Sequence, residues 1–527
     1  MLIPPSSRII LLKTPFEMDE RNQLTFSNKD SQFNYFYNLP KLEYDRCTYQ
    51  RKEGVIRYLT DNSLTYEDLL EYNYCMYQNE NYSDKWFYAY IDNIEYNNDG
   101  MSVVSITTDA FQTWQFDIEY KKSFIEREHV NDDTIGLHTI PEGLEHGPYI
   151  NAKSSESFSY ADNCYLVIGT TEMYDENVER PASVYNGIYG GLIYNVFKST
   201  SSANAFISNL DEAGRGDIID CLFMIPQSMA LTTQTDEYSF TRGGSSFLFY
   251  LLKGSSSAYN FGSVAITRPT YVGTNYTPSN NKLFCYPYNS LIISNNVGTS
   301  GEYHYEEFSN INSISFNVYA SITPGCSIKA IPNNYKGITS NIEESLNGAK
   351  LPICSWNTDV YTNWLTQNSV NNSIGILSSG INLITGALTG NVGGVINGAL
   401  GIGSKMGEIY EHSFTPNQAR GNTNSGDVVY STGNSDFNIY YMTIKNEYAK
   451  IIDNYFSMFG YKVNDVKLPN ITGRLNWNYV KTIDINITGD IPQSDLQTIK
   501  DMFNNGCTFW HNPTTFLDYS QSNTILV

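Results

Sequence analysis

Apolar positions along this chain recur mainly as short runs separated by clusters of Asn, Asp, Ser and Gly, the pattern of strands and turns. The run Ile9 to Leu12 predicts a first strand and is too short for the apolar region of a signal peptide, which points to synthesis in the cytoplasm. Up to about Gly147, similar runs alternate with Asn/Asp turns. One helix is predicted there, around Thr65 to Gln78, because Thr65 and Asp68 have the T-x-x-D spacing of a capping box. From about Tyr149 to Ile353, strand-like runs such as Cys164 to Ile168 and Ser246 to Leu252 lie between clusters such as Gly254 to Ser257 and Ser294 to Ser300. After Ser435 the period changes. Tyr448, Ile451, Ile452, Tyr455, Phe456 and Phe459 follow helical spacing and stop at Gly460; a shorter helix over Ser494 to Asn505 opens with S-x-x-Q and stops at Gly506. The fold class is mainly β with a few short helices.

The stretch between Asp359 and Lys405 contains no charged residue. Within it, Ile374 to Ile402 carries the aliphatic residues Ile374, Ile376, Leu377, Ile381, Leu383, Ile384, Leu388, Val392, Val395, Ile396, Leu400 and Ile402, and most other positions are Gly, Ala, Ser, Thr or Asn. Gly386, Gly390, Gly394 and Gly398 recur every fourth residue, so a continuous helix would present one bare glycine face, suited to close helix packing in a bilayer. Alternatively, Asn391 to Gly394 is a turn between two short arms. Leaving these aliphatic side chains in water would forgo on the order of 18 to 36 kcal/mol, so the soluble protein has to sequester them. A permanent buried helix or strand pair is the plain structural reading. Each glycine weakens a helix by about 1 kcal/mol, which disfavours it. An ordinary transmembrane span is also disfavoured, because Asn382, Asn391 and Asn397 interrupt the run. An apolar but soft segment suits a role that is hidden first and membrane-inserted later.

Composition sharpens the β reading. Tyr (42) and Phe (26) are abundant and charged residues are 17%, against about 25% in typical soluble domains. The net charge of −22 argues against gripping nucleic acid, which needs clustered Lys and Arg. The eight cysteines are scattered and form no C-x-x-C pair, so they read as isolated thiols. Glu126, Arg127, Glu128 and His129 form a polar run, read as a solvated rim or an ion-pair network before a catalytic pair. His129, His138 and His146 lack metal-site spacing, and no phosphate-binding loop occurs, since no Gly precedes a Lys. The aromatic run Trp86, Phe87, Tyr88 and Tyr90 reads as sheet core before a sugar platform. No catalytic residue, metal or cofactor is assigned, and the chain is not read as an enzyme.

Several blocks resemble the distal tail knob protein of short-tailed phages of Gram-positive bacteria that replicate by protein priming. They are Phe33 to Tyr37 (read as a strand), Asp84 to Ile91, Thr108 to Phe116, Ser123 to Val130 and Glu142 to Gly147. Near the other end stand Tyr461 to Asn478, Asn486 to Asp490 and Asp495 to His511. The blocks keep one order and cover about the first 150 and the last 80 residues, with the uncharged segment between them. The middle, about Ala152 to Pro352, does not match clearly.

The resemblance implies a homohexameric ring at the distal tip of the virion tail. It implies β-rich tube domains from both ends of the chain, with a knob domain below. DNA would pass through the lumen without sequence-specific binding, and upper tail tube or collar proteins would be neighbours. Six apolar loops would plug the tube, then leave it and open the host membrane. By position, residues 1–150 would be the N-terminal tube domain, 151–355 the knob, 356–412 the loop and 413–527 a return to the tube. The acidic balance would suit a lumen that repels DNA, and Glu126, Arg127 and Glu128 would be structural or at subunit contacts. A β-rich adhesin for host cell-wall glycan is the alternative function; it leaves the uncharged segment unexplained. A cell-wall hydrolase would need an acid pair that nothing here singles out.

Overall fold

The first strand, Ser7–Leu12, lies inside a six-stranded antiparallel sheet, where Ile9 to Leu12 are all buried. This computed structural model describes residues 7–47, 50, 52–59, 64–79, 83–98, 100–153, 156–158, 164–180, 184–185, 188–189, 191–227, 235–252, 259–295, 298–320, 322–324, 327–350, 353–359, 417–420 and 437–526. They are mostly strand and fall into two compact units.

Unit 1 comprises Met1–His146, Pro278–Lys282 and Glu447–Val527. Its six-stranded sheet runs Lys41–Cys47, Ser7–Leu12, Tyr74–Asn79, Ser83–Asn98, Met101–Thr108, Val55–Leu59. A five-stranded sheet joins the two ends of the sequence: Asn22–Leu24, Cys507–Trp510, Trp477–Ile483, Ser123–Glu128, Tyr461–Lys467, with the first pair parallel. Aromatic residues fill one core of this unit. Phe36 stacks on Tyr74 at 5.5 Å between ring centroids, and Trp477 meets Trp510 at 5.2 Å. Tyr88 and Tyr90 are buried in this core and Phe87 packs against its neighbour, so the run from Trp86 is sheet core.

Unit 2 comprises Gly147–Thr277 and Leu283–Asn446. Its largest sheet has the order Thr235–Arg242, Ser245–Leu252, Ile193–Phe197, Cys164–Thr170, Ile219–Pro226, Ile353–Asp359, Asn417–Arg420. The helix Thr200–Glu212 covers a core of Phe197, Phe206, Phe240 and Phe249. One five-stranded sheet centres on Phe437–Ile444 and Asn289–Ser294, and another on Ser313–Ala320 and Ser327–Tyr335. Both contribute to a larger core that includes Leu291, Tyr303, Phe316 and Tyr441.

Four local expectations differ from the structure. Phe33 to Tyr37 is not a strand but the end of a helix, Lys29–Tyr37. Asn28 caps it by accepting from the Ser31 amide, Ser31 bonds back, and Gln32 and Phe36, one turn apart, are buried. The helix expected over Thr65 to Gln78 is only Tyr66–Leu69. Its Thr65/Asp68 capping box forms, but Tyr74 to Tyr77 are buried in the sheet, where packing overrides a continued helix. The late helix runs Gln493–Asn505 with Pro492 at its N-cap, so the S-x-x-Q spacing does not cap it. The helix before Gly460 spans Asn446–Phe459, yet Ile451 is exposed and Asp453 buried.

Candidate functional site

The uncharged segment has a described root. Strands Ile353–Asp359 and Asn417–Arg420 pair antiparallel, with Trp356 opposite Arg420 and Asp359 opposite Asn417. Residues 360–416 therefore leave and rejoin unit 2 at facing positions of one ladder. That ladder sits at the edge of the seven-stranded sheet, since Asn417–Arg420 is its last strand. Ile374, Ile376, Leu377, Ile381, Leu383, Ile384, Leu388, Val392, Val395, Ile396, Leu400 and Ile402, with Gly386, Gly390, Gly394 and Gly398, lie outside the described residues. Among the described residues no helix is long and apolar enough to cross a membrane. The pairing of Asp359 with Asn417 is the feature that sequence reasoning missed. A four-residue strand inside a long polar stretch gives no periodic signal.

The polar run at Glu126 lies in unit 1 and is fully engaged. Glu126 pairs with Lys481 at 2.9 Å and Glu128 with Lys467 at 2.5 Å. The Arg127 guanidinium pairs with Glu142, donates to the Gly460 carbonyl at 2.7 Å, and stands 4.9 Å from the centre of the Tyr455 ring. His129 accepts from the Tyr479 amide at its Nδ1 (2.8 Å), so its Nε2–H donates to the Ser457 carbonyl (3.1 Å). Burial, with Arg474 and Arg127 adding repulsion, pushes its pKa down to about 3. Both ring nitrogens are committed, which leaves no lone pair for a substrate or metal. Among the described residues no group of three His, Cys, Asp or Glu side chains is placed to hold a metal ion.

Glu142 anchors a second network. Its carboxylate takes Arg127 and Lys282 together and accepts the Lys462 amide at 2.9 Å. Lys282 ends a five-residue piece that unit 1 recruits from the middle of the chain. Asp453 accepts the Ser279 and Asn280 amides at 2.8 and 3.0 Å, while Asp133 accepts the Asn281 amide at 3.0 Å and the Tyr461 hydroxyl at 2.6 Å. Burial raises the Asp133 pKa against those hydrogen bonds. Elsewhere in unit 1, Asp109 caps the helix Ala110–Trp114 and accepts the Tyr74 hydroxyl at 2.8 Å; burial lifts it to about 6. These carboxylates close backbone ends and hold strands, a structural use of buried charge.

Comparison with known proteins supplies the class and then the family. Residues 5–121 match the family described as caudoviral major tail protein N-terminus, a class of tail proteins of tailed phages. Residues 255–524, more than half of the 527, match the family described as Bacillus phage phi29, tail knob protein gp9, C-terminal domain. The chain belongs to that tail knob family and is a component of the virion tail. It is 26% identical to the tail knob protein gp9 of Bacillus phage phi29, over 95% of this chain and 96% of that one. The same identity holds for the tail knob protein gp9 of Bacillus phage B103, over 98% of each chain. The fold is similar to the bacteriophage C1 tail knob protein gp12, with a TM-score of 0.67, 14% identity, and coverage of 99% of this chain and 100% of that one.

Proposed function

We propose that six copies of this chain form a ring at the distal tip of the tail, through which DNA passes. The segment 360–416 of each copy plugs the lumen, then leaves it during genome ejection and enters the host membrane. The role is structural, not catalytic, and the neighbours are upper tail proteins, the DNA in transit and the host bilayer. The observation that carries this reading is the root. Residues 360–416, uncharged as far as Ser404 and with a dozen aliphatic residues between Ile374 and Ile402, hang from two facing positions of one ladder, Asp359 and Asn417. Such a tether lets the segment change environment while the sheet that holds it stays folded. Membership of the tail knob family supports the location at the tail tip.

The experiment is dye release from liposomes by the full-length protein and by a variant lacking residues 374–402, at neutral and mildly acidic pH. Release by the full-length protein alone supports membrane entry by this segment. Equal release by both moves the activity elsewhere in the chain, and no release under any condition removes the membrane step.

A further inference from the structure

Unit 1 exposes two apolar strips, on two different sheets. In the first, Val466, Phe124 and Ile483 face one another across three adjacent strands of the five-stranded sheet. They are 60%, 37% and 57% exposed, although Ile125, next to Phe124, is fully buried. An antiparallel sheet with one face on a core normally carries polar residues on the other, so three apolar neighbours there are a contiguous patch and not scattered exposure.

The second strip lies on the outermost strand of the six-stranded sheet, Val55–Leu59. Ile56 and Tyr58 point into the core, while Val55 and Leu59 are 57% and 83% exposed. Across the ladder Leu59 faces Met101 and Arg57 faces Val103, both half-buried.

Among the described residues, unpaired charges stand beside both strips, acidic at the first and of both signs at the second. Asp465 and Asp484 flank the first, and neither has an ion-pair partner among the described residues. Lys467 and Lys481, close by, are already paired with Glu128 and Glu126. Arg57, within the second strip, also has no ion-pair partner among the described residues, and exposed Glu95 lies one strand beyond Val103 in the same row. The free edge of the first sheet is blunted, because the strand Tyr461–Lys467 shifts register between Lys462 and Asp465 and holds Asn464 at φ 47°. Such a bulge disfavours strand addition, so a contact here uses the face.

We propose that these strips are the two halves of one contact between successive copies of this chain. Phe124 and its neighbours on one copy pack against Leu59 and its neighbours on the next, and Arg57 meets Asp465 and Asp484. A closed ring of more than two copies needs two different patches on each subunit that fit one another, and unit 1 carries two different exposed apolar strips. The inference rests on the ring reading above and names the surfaces that build it.

Sedimentation velocity on full-length protein tests it, with two variants checked by circular dichroism for wild-type melting. Phe124→Glu/Val466→Glu breaks the first strip and Leu59→Glu breaks the second. Each variant alone is expected to sediment as a folded monomer. An equal mixture is expected to give dimers and nothing larger, because one intact strip of each kind remains. Arg57→Glu should weaken the ring, and Asp465→Lys/Asp484→Lys should restore it. Wild-type assembly by both variants, or a mixture that stays monomeric, overturns the proposal while leaving the ring intact. A wild-type protein that is monomeric at every concentration overturns the ring reading itself.

Discussion

The ammonium of Lys282 and the carboxylate of Glu142 form an ion pair inside unit 1, with side chains 2% and 0% exposed. Such a pair gives little net stability over an apolar packing, but removing one member strands a buried charge at a cost of about 3–5 kcal/mol. Glu142→Gln leaves both Arg127 and Lys282 without their carboxylate and should lose that amount in urea unfolding. Lys282→Met should lose less, because Arg127 still neutralises Glu142. Equal stability of Glu142→Gln and wild type would mean that water already solvates the site.

Gly460 ends the helix Asn446–Phe459 at φ +65°, and a Cβ there would overlap the Glu128 carbonyl and the His129 amide nitrogen. The strain is backbone against backbone, so no side chain can yield. Gly460→Ala should cost at least about 2 kcal/mol. Gly143, at φ +68° with no atom within 4 Å of its Cβ position, is the control; its alanine variant should cost about 1 kcal/mol. Similar losses at the two positions would remove the close-approach argument.

Gly460 also shows what the sequence makes legible. Its place at the end of a helical period is readable, as are the first strand and the Thr65/Asp68 capping box, because each signal is local. Its approach to Glu128, more than 300 residues away, is not readable. Lys29–Tyr37 misleads for a related reason: an aromatic run suits a strand, and only the Asn28/Ser31 cap marks the helix. The recruitment of Lys282 has no local signature, since its partner is chosen by tertiary packing. At the candidate site the apolar character and lack of charge are plain in the sequence. The facing root positions Asp359 and Asn417 emerge only from the ladder.

Acid and base both destabilise unit 1, through different groups. Burial pushes His129 down to about 3 and His511 down to about 4. Their unfolded pKa is about 6.5, so they add stability above that pH and lose it as pH falls toward 4 and 3. Glu20 runs the other way. Burial first, then Asp109, Asp501 and Asp19, raise it to about 7. Its contribution is complete below the unfolded carboxyl pKa of about 4.3 and is lost as pH rises through 7. Glu20→Gln should therefore raise the thermal midpoint at pH 8 and leave it unchanged at pH 4. Melting curves from pH 4 to 8 check this, and an equal shift at both ends would mean that the charge is not responsible.

The root offers a test of which part moves. Thr358 and Gln418 are opposite residues of the ladder at the base of the uncharged segment, and Cα atoms of such pairs are about 4.5–5.5 Å apart, within the span of a disulfide. Thr358→Cys/Gln418→Cys should cross-link under oxidising conditions, as a shift on a non-reducing gel would confirm. If the segment relocates while its root stays paired, the oxidised variant should release liposome dye as fast as the reduced one. Release that disappears on oxidation and returns with reductant would instead mean that the ladder itself opens. In that case Asn417–Arg420 would have to peel from Ile353–Asp359 before the apolar residues could reach a bilayer, and the edge of the seven-stranded sheet would be part of the moving element.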